Sequence, residues 1–566
     1  MREPALSKGA SKYAPRRPET TPLYGVIQHH LETWLRNARS QERTVPRFVE
    51  REFRAFLECG ILANGFLRVH CADCGLDRVV PFSCKGRGFC PSCGGRHMAD
   101  TAAHLVDRTL PRVPVRQWVL SLPFGLRYRL AHDRELTADV LRVFVRAVFA
   151  SLRRRSRPMR SGPAPAHGGA VTFVQRFGGA LNLNVHFHTL FLDGTFRSSE
   201  DDRTLRFHPA PPPGPEELER VLLRVTRGIA RVIERRRLGD EPDRLTEDDP
   251  LLAQLLAAAV QGRAATGQRA GQRVLRFGDR VEIDSENVAH EATPGLARTN
   301  GFSLHAGVAV PANDRQRLER LCRYVGRPPV ASERLSELTD GRLLYELRHR
   351  WRDGTTHVAF EPLELIDRLA ALVPPPRFHT VRYHGVLASR SKHRAKVVPQ
   401  TTEPAARPHC NVVTCGLGNS AATHPTSLRP GSSDRARKPR AVAFSVSPER
   451  SAESTKPASE GANLFPPGGD SVTTRNSRPS RYYSWSELMS RVFEIDVLKC
   501  PRCRASPMRI LAAIHPPLTT QAILKSLGLP TRAPPITPAQ AVASDWSLTE
   551  PSANRYRGGH IDLPAA

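Results

Sequence analysis

Two histidines spaced two apart, His186 and His188 in NVHFHTLFLD, have the residue type and spacing to pinch one cation. On an extended strand such residues leave the same face, so both imidazoles project together with Leu190 and Leu192. The preceding segment, AVTFVQRF, is also strand-like and joins this one through GGAL, which reads as a hairpin connection. If Phe177 pairs with Asn184, Gln175 stands opposite His186 and its amide oxygen becomes a third ligand. Two neutral imidazoles and an amide oxygen, with positions left for phosphate and water, suit a Lewis acid that polarises a phosphodiester. The plain alternative is that all three are ordinary sheet-face residues. No carboxylate pair stands beside them, which disfavours nucleases built on acidic triads.

Cys71, Cys74, Cys90 and Cys93 form two C-x-x-C knuckles separated by fifteen residues, the spacing of a four-thiolate zinc site. Each knuckle grips one side of a tetrahedral ion, and the zinc is structural because no open coordination position is implied. Cys84, His70 and His97 lie close enough to substitute as ligands. Arg78, Lys85, Arg87 and Arg96 surround the block and suit a DNA-docking finger. Cys500 and Cys503, in CPRC, supply half of a second site, with Cys410 and Cys415 as poor partners.

The third candidate is a nucleophile. RQRLERLCRYVGRPP places Leu318, Leu321, Cys322 and Val325 on one helical stripe with Tyr324 at its margin. Arg320, Arg323 and Arg327 surround it, and cations near a phenol favour the phenolate, whose unperturbed pKa is about 10. The alternative is a tyrosine capping a buried helix with its hydroxyl in water. Tyr383, in RYHGVLASRSKHRAK, is a rival, but that segment is so basic that Arg390, Lys392, Arg394 and Lys396 read as phosphate contacts.

The elements that must position these groups are legible as a pattern. Residues 22–65 form a helical lead-in, 66–110 a zinc-binding domain, and 111–400 a catalytic domain with a basic C-terminal segment. Within the last, strands at 117–123, 170–177 and 184–193 alternate with helices at 138–152, 216–236 and 315–325, an α+β arrangement. Residues 157–169 and 208–215 read as loops. Residues 1–21 and 401–480 lack any sustained apolar period and are expected to be disordered, the latter a linker before a short C-terminal module and tail at 481–566.

Lysine and arginine total 84 against 55 acidic residues, a formal charge of +29, which points to a polyanionic partner. No run of about 18 apolar residues appears, and MREPALSKGASKYAPRRPE lacks the apolar centre of a signal peptide. The expectation is a cytoplasmic protein with no membrane partner, whose eleven cysteines are reduced and serve as metal ligands or core residues.

Taken in order, PRFVEREFRAFLECGILANGF, SCKGRGFCPSCGGRHM, RQWVLSLPFGLRYRLAHD, HGGAVTFVQRFGGALNLNVHFHTLFLDG, RLCRYVGRPPVASERL and RYHGVLASRSKHR resemble the rolling-circle insertion-sequence transposases of the His-hydrophobic-His (HUH) superfamily. The resemblance is to the IS91 family, over about residues 22–399 and again near 482–534. It implies an HUH-type antiparallel-sheet nuclease domain with flanking helices. It also implies structural Zn²⁺ on Cys71, Cys74, Cys90 and Cys93, catalytic Mg²⁺ or Mn²⁺ on His186 and His188, and Tyr324 as nucleophile. The implied partners are single-stranded element ends and target DNA, a host helicase and the replication machinery, in a bacterial, nucleoid-associated setting. Positions four before and four after Tyr324 are Arg320 and Pro328, so the chain resembles the single-tyrosine branch. A plasmid replication initiator or relaxase-like nuclease, or a decayed transposase that only binds DNA, are the alternative readings.

Overall fold

Six strands pair antiparallel into the central sheet, in the order Leu296–Thr299, Phe302–Val310, Val115–Ser121, Leu183–Leu192, Gly169–Phe177 and Val381–Gly385. The computed structural model describes residues 16–156, 165–198, 204–238, 243–278, 294–399, 483–505 and 507–540. All of them belong to one unit, residues 1–404 with 481–566; the other unit, Ala405–Ser480, lies outside the described residues, as do the linker expected at 401–480 and most of the N-terminal segment. The three strands expected from the sequence occur with one- or two-residue shifts, helices Arg134–Arg155 and Arg315–Val325 cover the expected spans, and Pro215–Arg235 is shifted by one residue. The expected loops are not wholly loop, since Ala166–His167 and Leu205–Pro209 are short strands.

The central strands are apolar on both faces because both faces are covered. Val185, Phe187 and Phe191 point into a core shared with Trp118, Leu120, Phe144 and the helices Pro215–Arg235, Pro250–Gln261 and Pro362–Leu372. Leu190 and Leu192 point the other way, joining Val171, Phe173 and the buried stripe Leu318, Leu321, Cys322 and Val325 of the helix Arg315–Val325. That helix starts where Asp314 caps the amide of Arg317, and it ends just before Gly326 and Pro328. Helix Pro91–Arg108 lies on the same face through Ala102, Leu105 and Val106. Two helices, Pro22–Ser40 and Arg47–Glu58, make up the lead-in and belong to the first core, where Trp34 donates to the buried Asp367 carboxylate at 2.8 Å.

The segment expected as a short C-terminal module packs against the zinc-binding region. Strand Arg509–Ile514 pairs antiparallel with Phe66–His70, completing a three-stranded sheet with Asp77–Pro81. Helix Trp485–Phe493 packs Leu488 against Ala99 and Ala103, and residues 535–540 hydrogen-bond to Gln28, Thr33 and Arg36. So short a segment has too little apolar surface for a core of its own, and it uses the open edge of the zinc-binding region instead. Among the described residues no helix is long and apolar enough to cross a membrane.

Candidate functional site

His186 and His188 share one face of their strand, with their Nε2 atoms 3.0 Å apart. A chain of hydrogen bonds orients both rings. The carbonyl of Asn184 can only accept, so His186 Nδ1 carries the proton at 2.8 Å and its Nε2 presents a lone pair. His188 Nε2 lies 3.0 Å from that nitrogen, and His188 Nδ1 lies 2.7 Å from the Gln117 side-chain amide; with that amide turned so that its oxygen accepts from Nδ1–H, His188 Nε2 would also present a lone pair. Burial, joined by the charges of Arg327 and Arg127, pulls His186 down to about 4. Burial and the neighbouring imidazole hold His188 well below its ordinary range. Both rings are therefore neutral near pH 7, the form in which imidazole ligates a metal.

Gln175 stands opposite His186, as the hairpin register required, although a bulge puts Phe177 opposite Leu183 instead of Asn184. Its Nε2 donates to the carbonyl of Val325 at 2.7 Å, which turns the amide oxygen the other way. That oxygen is buried and has no hydrogen-bond partner. A buried acceptor left unpaired costs about 1–3 kcal/mol. Beside two neutral imidazoles, such an atom fits a third metal ligand.

Val325 ends the helix that carries Tyr324, so the same glutamine ties that helix to the histidine face. The Tyr324 ring meets His188 edge-on, with centroids 6.0 Å apart and an interplanar angle of 84°. It is 38 % exposed. The guanidinium of Arg327 lies 4.5 Å from the ring centroid and that of Arg348 5.1 Å from it. A phenol, two imidazoles and two guanidinium groups thus converge on one open spot. The rival, Tyr383, pairs with Val171, four residues along the strand from Gln175, or about 13 Å at 3.3 Å per residue. It is partly buried against the second core with Arg394 over its ring, and burial raises its pKa.

The cysteines regroup. Cys71 and Cys74 sit with Cys500 and Cys503, whereas Cys90 and Cys93 sit with Cys59 and Cys84; in each group all four sulfurs lie within 4.8 Å of one another. The expected set of Cys71, Cys74, Cys90 and Cys93 is therefore corrected. The reason is the hairpin between the knuckles. Phe66 pairs with Pro81 at its base and His70 with Asp77 near its tip, so Cys71 and Cys74 lie about 13 Å from the base, beyond the reach of one ion. Cys59 follows the helix Arg47–Glu58, and Cys84 follows the base of the hairpin, so both meet the second knuckle there. Cys84 was a substitute in the sequence reading. His70 instead bonds Asp77 at 2.9 Å, and His97 is exposed. All eight are free thiols, and eight thiolates in two tetrads suit two structural zinc ions.

Of the expected DNA contacts, Arg320, Arg390, Lys392 and Lys396 are exposed. Arg394 is tied down on the Leu387 carbonyl, and Arg327 donates to the Tyr324 carbonyl at 3.0 Å. Sequence reasoning missed Gln117, Asn184, Arg127 and Arg348. Gln117 alone carried a signal, a polar side chain two residues from Val119, which the sheet places opposite His188.

Two family models match. One, a "Transposase zinc-binding domain" of the IS91 type, covers residues 26–122, and one described as "Putative transposase" covers residues 169–395. The transposase for insertion sequence element IS801 of Pseudomonas savastanoi pv. phaseolicola is 23 % identical over 343 residues, 59 % of this chain and 69 % of the relative. No solved structure matches the chain. The zinc-binding model spans all of the Cys59, Cys84, Cys90 and Cys93 tetrad and half of the Cys71, Cys74, Cys500 and Cys503 tetrad, and the other model spans the histidine strand and the tyrosine helix. This chain therefore belongs to the IS91 family of insertion-sequence transposases.

Proposed function

We propose that this transposase nicks and transfers single DNA strands at insertion-sequence ends through a 5′-phosphotyrosine intermediate, with the central sheet acting as an HUH-type nuclease domain. The observation that carries the reading is the edge-on approach of Tyr324 to His188, at 6.0 Å between ring centres. His186, His188 and the unpaired oxygen of Gln175 would hold Mg²⁺ or Mn²⁺, which supplies polarisation of the scissile phosphate when bound. Arg327 and Arg348 hold the phosphate beside the phenol.

The Tyr324 oxygen attacks phosphorus as its proton passes to water, the bond to the 3′ oxygen breaks, and that oxygen takes up a proton from water and leaves as a 3′-OH. The phosphotyrosine keeps the energy of the broken linkage, so rejoining needs no nucleotide cofactor. With Arg320 and Pro328 at the flanking positions, a single tyrosine serves the cleavage step. Exposed Arg320, Arg390, Lys392 and Lys396 supply backbone contacts, and a host helicase would deliver the strand single.

The test is peptide mass mapping of the covalent adduct formed on single-stranded element ends with Mn²⁺. The adduct is expected on Tyr324, lost in Tyr324→Phe and retained in Tyr383→Phe. Retention in the former and loss in the latter would overturn the assignment, and binding without any adduct would leave a DNA-binding protein.

A further inference from the structure

The C-terminal segment reaches the tyrosine helix along a path that starts in the Cys71, Cys74, Cys500 and Cys503 tetrad. Cys74 Sγ lies 3.5 Å from Cys500 Sγ, and Cys71 Sγ lies 3.6 Å from Cys503 Sγ, partners more than 400 residues apart in the chain. Four sulfurs on a tetrahedral zinc at about 2.3 Å stand about 3.8 Å apart, close to these separations and far from the roughly 2.05 Å of a disulfide. Just before the tetrad, helix Trp485–Phe493 carries Arg491 into a gap between two other helices. Its Nη2 contacts Asp107 at 3.0 Å and Glu319 at 2.7 Å, and its Nε contacts Glu319 at 3.0 Å. Asp107 lies in the last turn of the helix Pro91–Arg108, and Glu319 lies five residues before Tyr324. The Tyr483 hydroxyl adds a bond to Asp107 at 2.6 Å. The guanidinium thus bridges carboxylates on two packed helices, both of which contribute to the apolar core under the histidine face.

We propose that zinc in the Cys71–Cys74–Cys500–Cys503 tetrad is a clasp. It holds the C-terminal segment on the zinc-binding domain, and through Arg491 that segment braces the helix bearing Tyr324. Arg491 and Glu319 are positioning residues, and their bearing on cleavage rests on Tyr324 being the nucleophile. The ion in that tetrad steadies the reacting side chain, so the metal-binding region does more than dock DNA. It also makes the site depend on the end of the chain, because half of the ligands lie beyond residue 499.

The full-length protein is tested by zinc content, by hydrogen exchange of the peptide spanning residues 315–325, and by the rate of adduct formation. Cys500→Ser with Cys503→Ser is expected to lower zinc from two ions per chain to one. Exchange of residues 315–325 should quicken about tenfold or more, and the adduct should form about tenfold more slowly with oligonucleotide affinity held within about twofold. Two ions retained, or one lost with exchange of that peptide unchanged, would overturn the proposal. If the serine variant loses both ions by unfolding, Arg491→Met decides, since it keeps every cysteine: faster exchange with two ions bound supports the brace, and unchanged exchange removes it. Zinc content and exchange are read without DNA, so a wild-type protein that forms no adduct would sink the cleavage reading while leaving this one to stand or fall separately.

Discussion

Replacing Gln175 with methionine keeps the side chain's volume on the sheet and removes only its amide, which separates a metal-ligating role from a fold-stabilising one. In the metal-free protein two effects oppose each other. The carbonyl of Val325 loses its donor, costing about 1–3 kcal/mol, and the amide oxygen that has no partner disappears, recovering a similar about 1–3 kcal/mol. The net change is within about 1 kcal/mol, or a melting shift below about 4 °C. With metal present the variant lacks one of three protein ligands. A ten- to hundredfold loss of affinity, about 1.4–2.7 kcal/mol, is expected. The assay is a melt in chelator alongside adduct formation titrated with Mn²⁺. Half-maximal Mn²⁺ should rise by about tenfold or more while the chelated melt stays nearly fixed. An unchanged Mn²⁺ dependence would refute ligation by Gln175. A chelated loss above about 3 kcal/mol would mean that the amide serves the fold alone.

Chelation by brief EDTA treatment should stop adduct formation while two zinc ions per chain remain, and Mn²⁺ should restore it; His186→Ala or His188→Ala should not be restored. Gly94→Ala would bring a Cβ to 2.6 Å from Pro328 Cβ, just past the tyrosine helix, so we expect a loss of about 1–3 kcal/mol and slower adduct formation with zinc content unchanged. Burial raises the Asp367 carboxyl to about 6 from its ordinary 3.8, despite the donors Thr266 and Trp34. The folded protein therefore holds that proton more tightly, and the stability it contributes is complete below about pH 4 and lost as pH rises through about 6. At about 1.4 kcal/mol per pH unit, the stability advantage of wild type over Asp367→Asn should shrink by about 3 kcal/mol between pH 4 and 7, and a flat difference would contradict the assignment.

What the sequence made legible was whatever its local period encodes. The two-residue spacing of His186 and His188 put them on one face, and the neighbouring hairpin brought Gln175 opposite. The stripe Leu318, Leu321, Cys322 and Val325 put Tyr324 at a margin, which is why it is both anchored and open. Partnerships between distant segments were not legible. Each C-x-x-C knuckle was visible, but which knuckles share an ion depends on the length of the intervening hairpin and on Cys59, a lone cysteine after a helix. Arg491 is one arginine among many in the sequence, and only the return of the C-terminal segment to the sheet edge of Phe66–His70 gives it two carboxylates. Gln117 orients His188 across a strand pairing spanning 71 residues, which no window of local periodicity covers.

The charge of the proposed metal site would couple it to DNA. Among the described residues, the groupings of three or more His, Cys, Asp or Glu fit to hold a metal are the two cysteine tetrads, so no carboxylate joins His186 and His188. Two imidazoles and an amide leave a divalent ion with its full charge. Arg127 and Arg327 are near enough to depress His186, so they repel that ion as well. At a separation on the order of 10 Å and an effective dielectric near 20, each guanidinium opposes a doubly charged ion by about 3 kcal/mol before salt screening. In the proposed complex a phosphodiester between them would supply the missing negative charge, so metal and DNA should each tighten the other by the same factor. Calorimetric titration of zinc-loaded Tyr324→Phe with Mn²⁺ should give about tenfold or more tighter binding when a single-stranded element end is present, a coupling of about 1.4 kcal/mol. Saturating Mn²⁺ should tighten the oligonucleotide by that same ratio. Equal Mn²⁺ affinity with and without DNA would mean that the site neutralises its ion from within, with a ligand other than the two imidazoles and the amide.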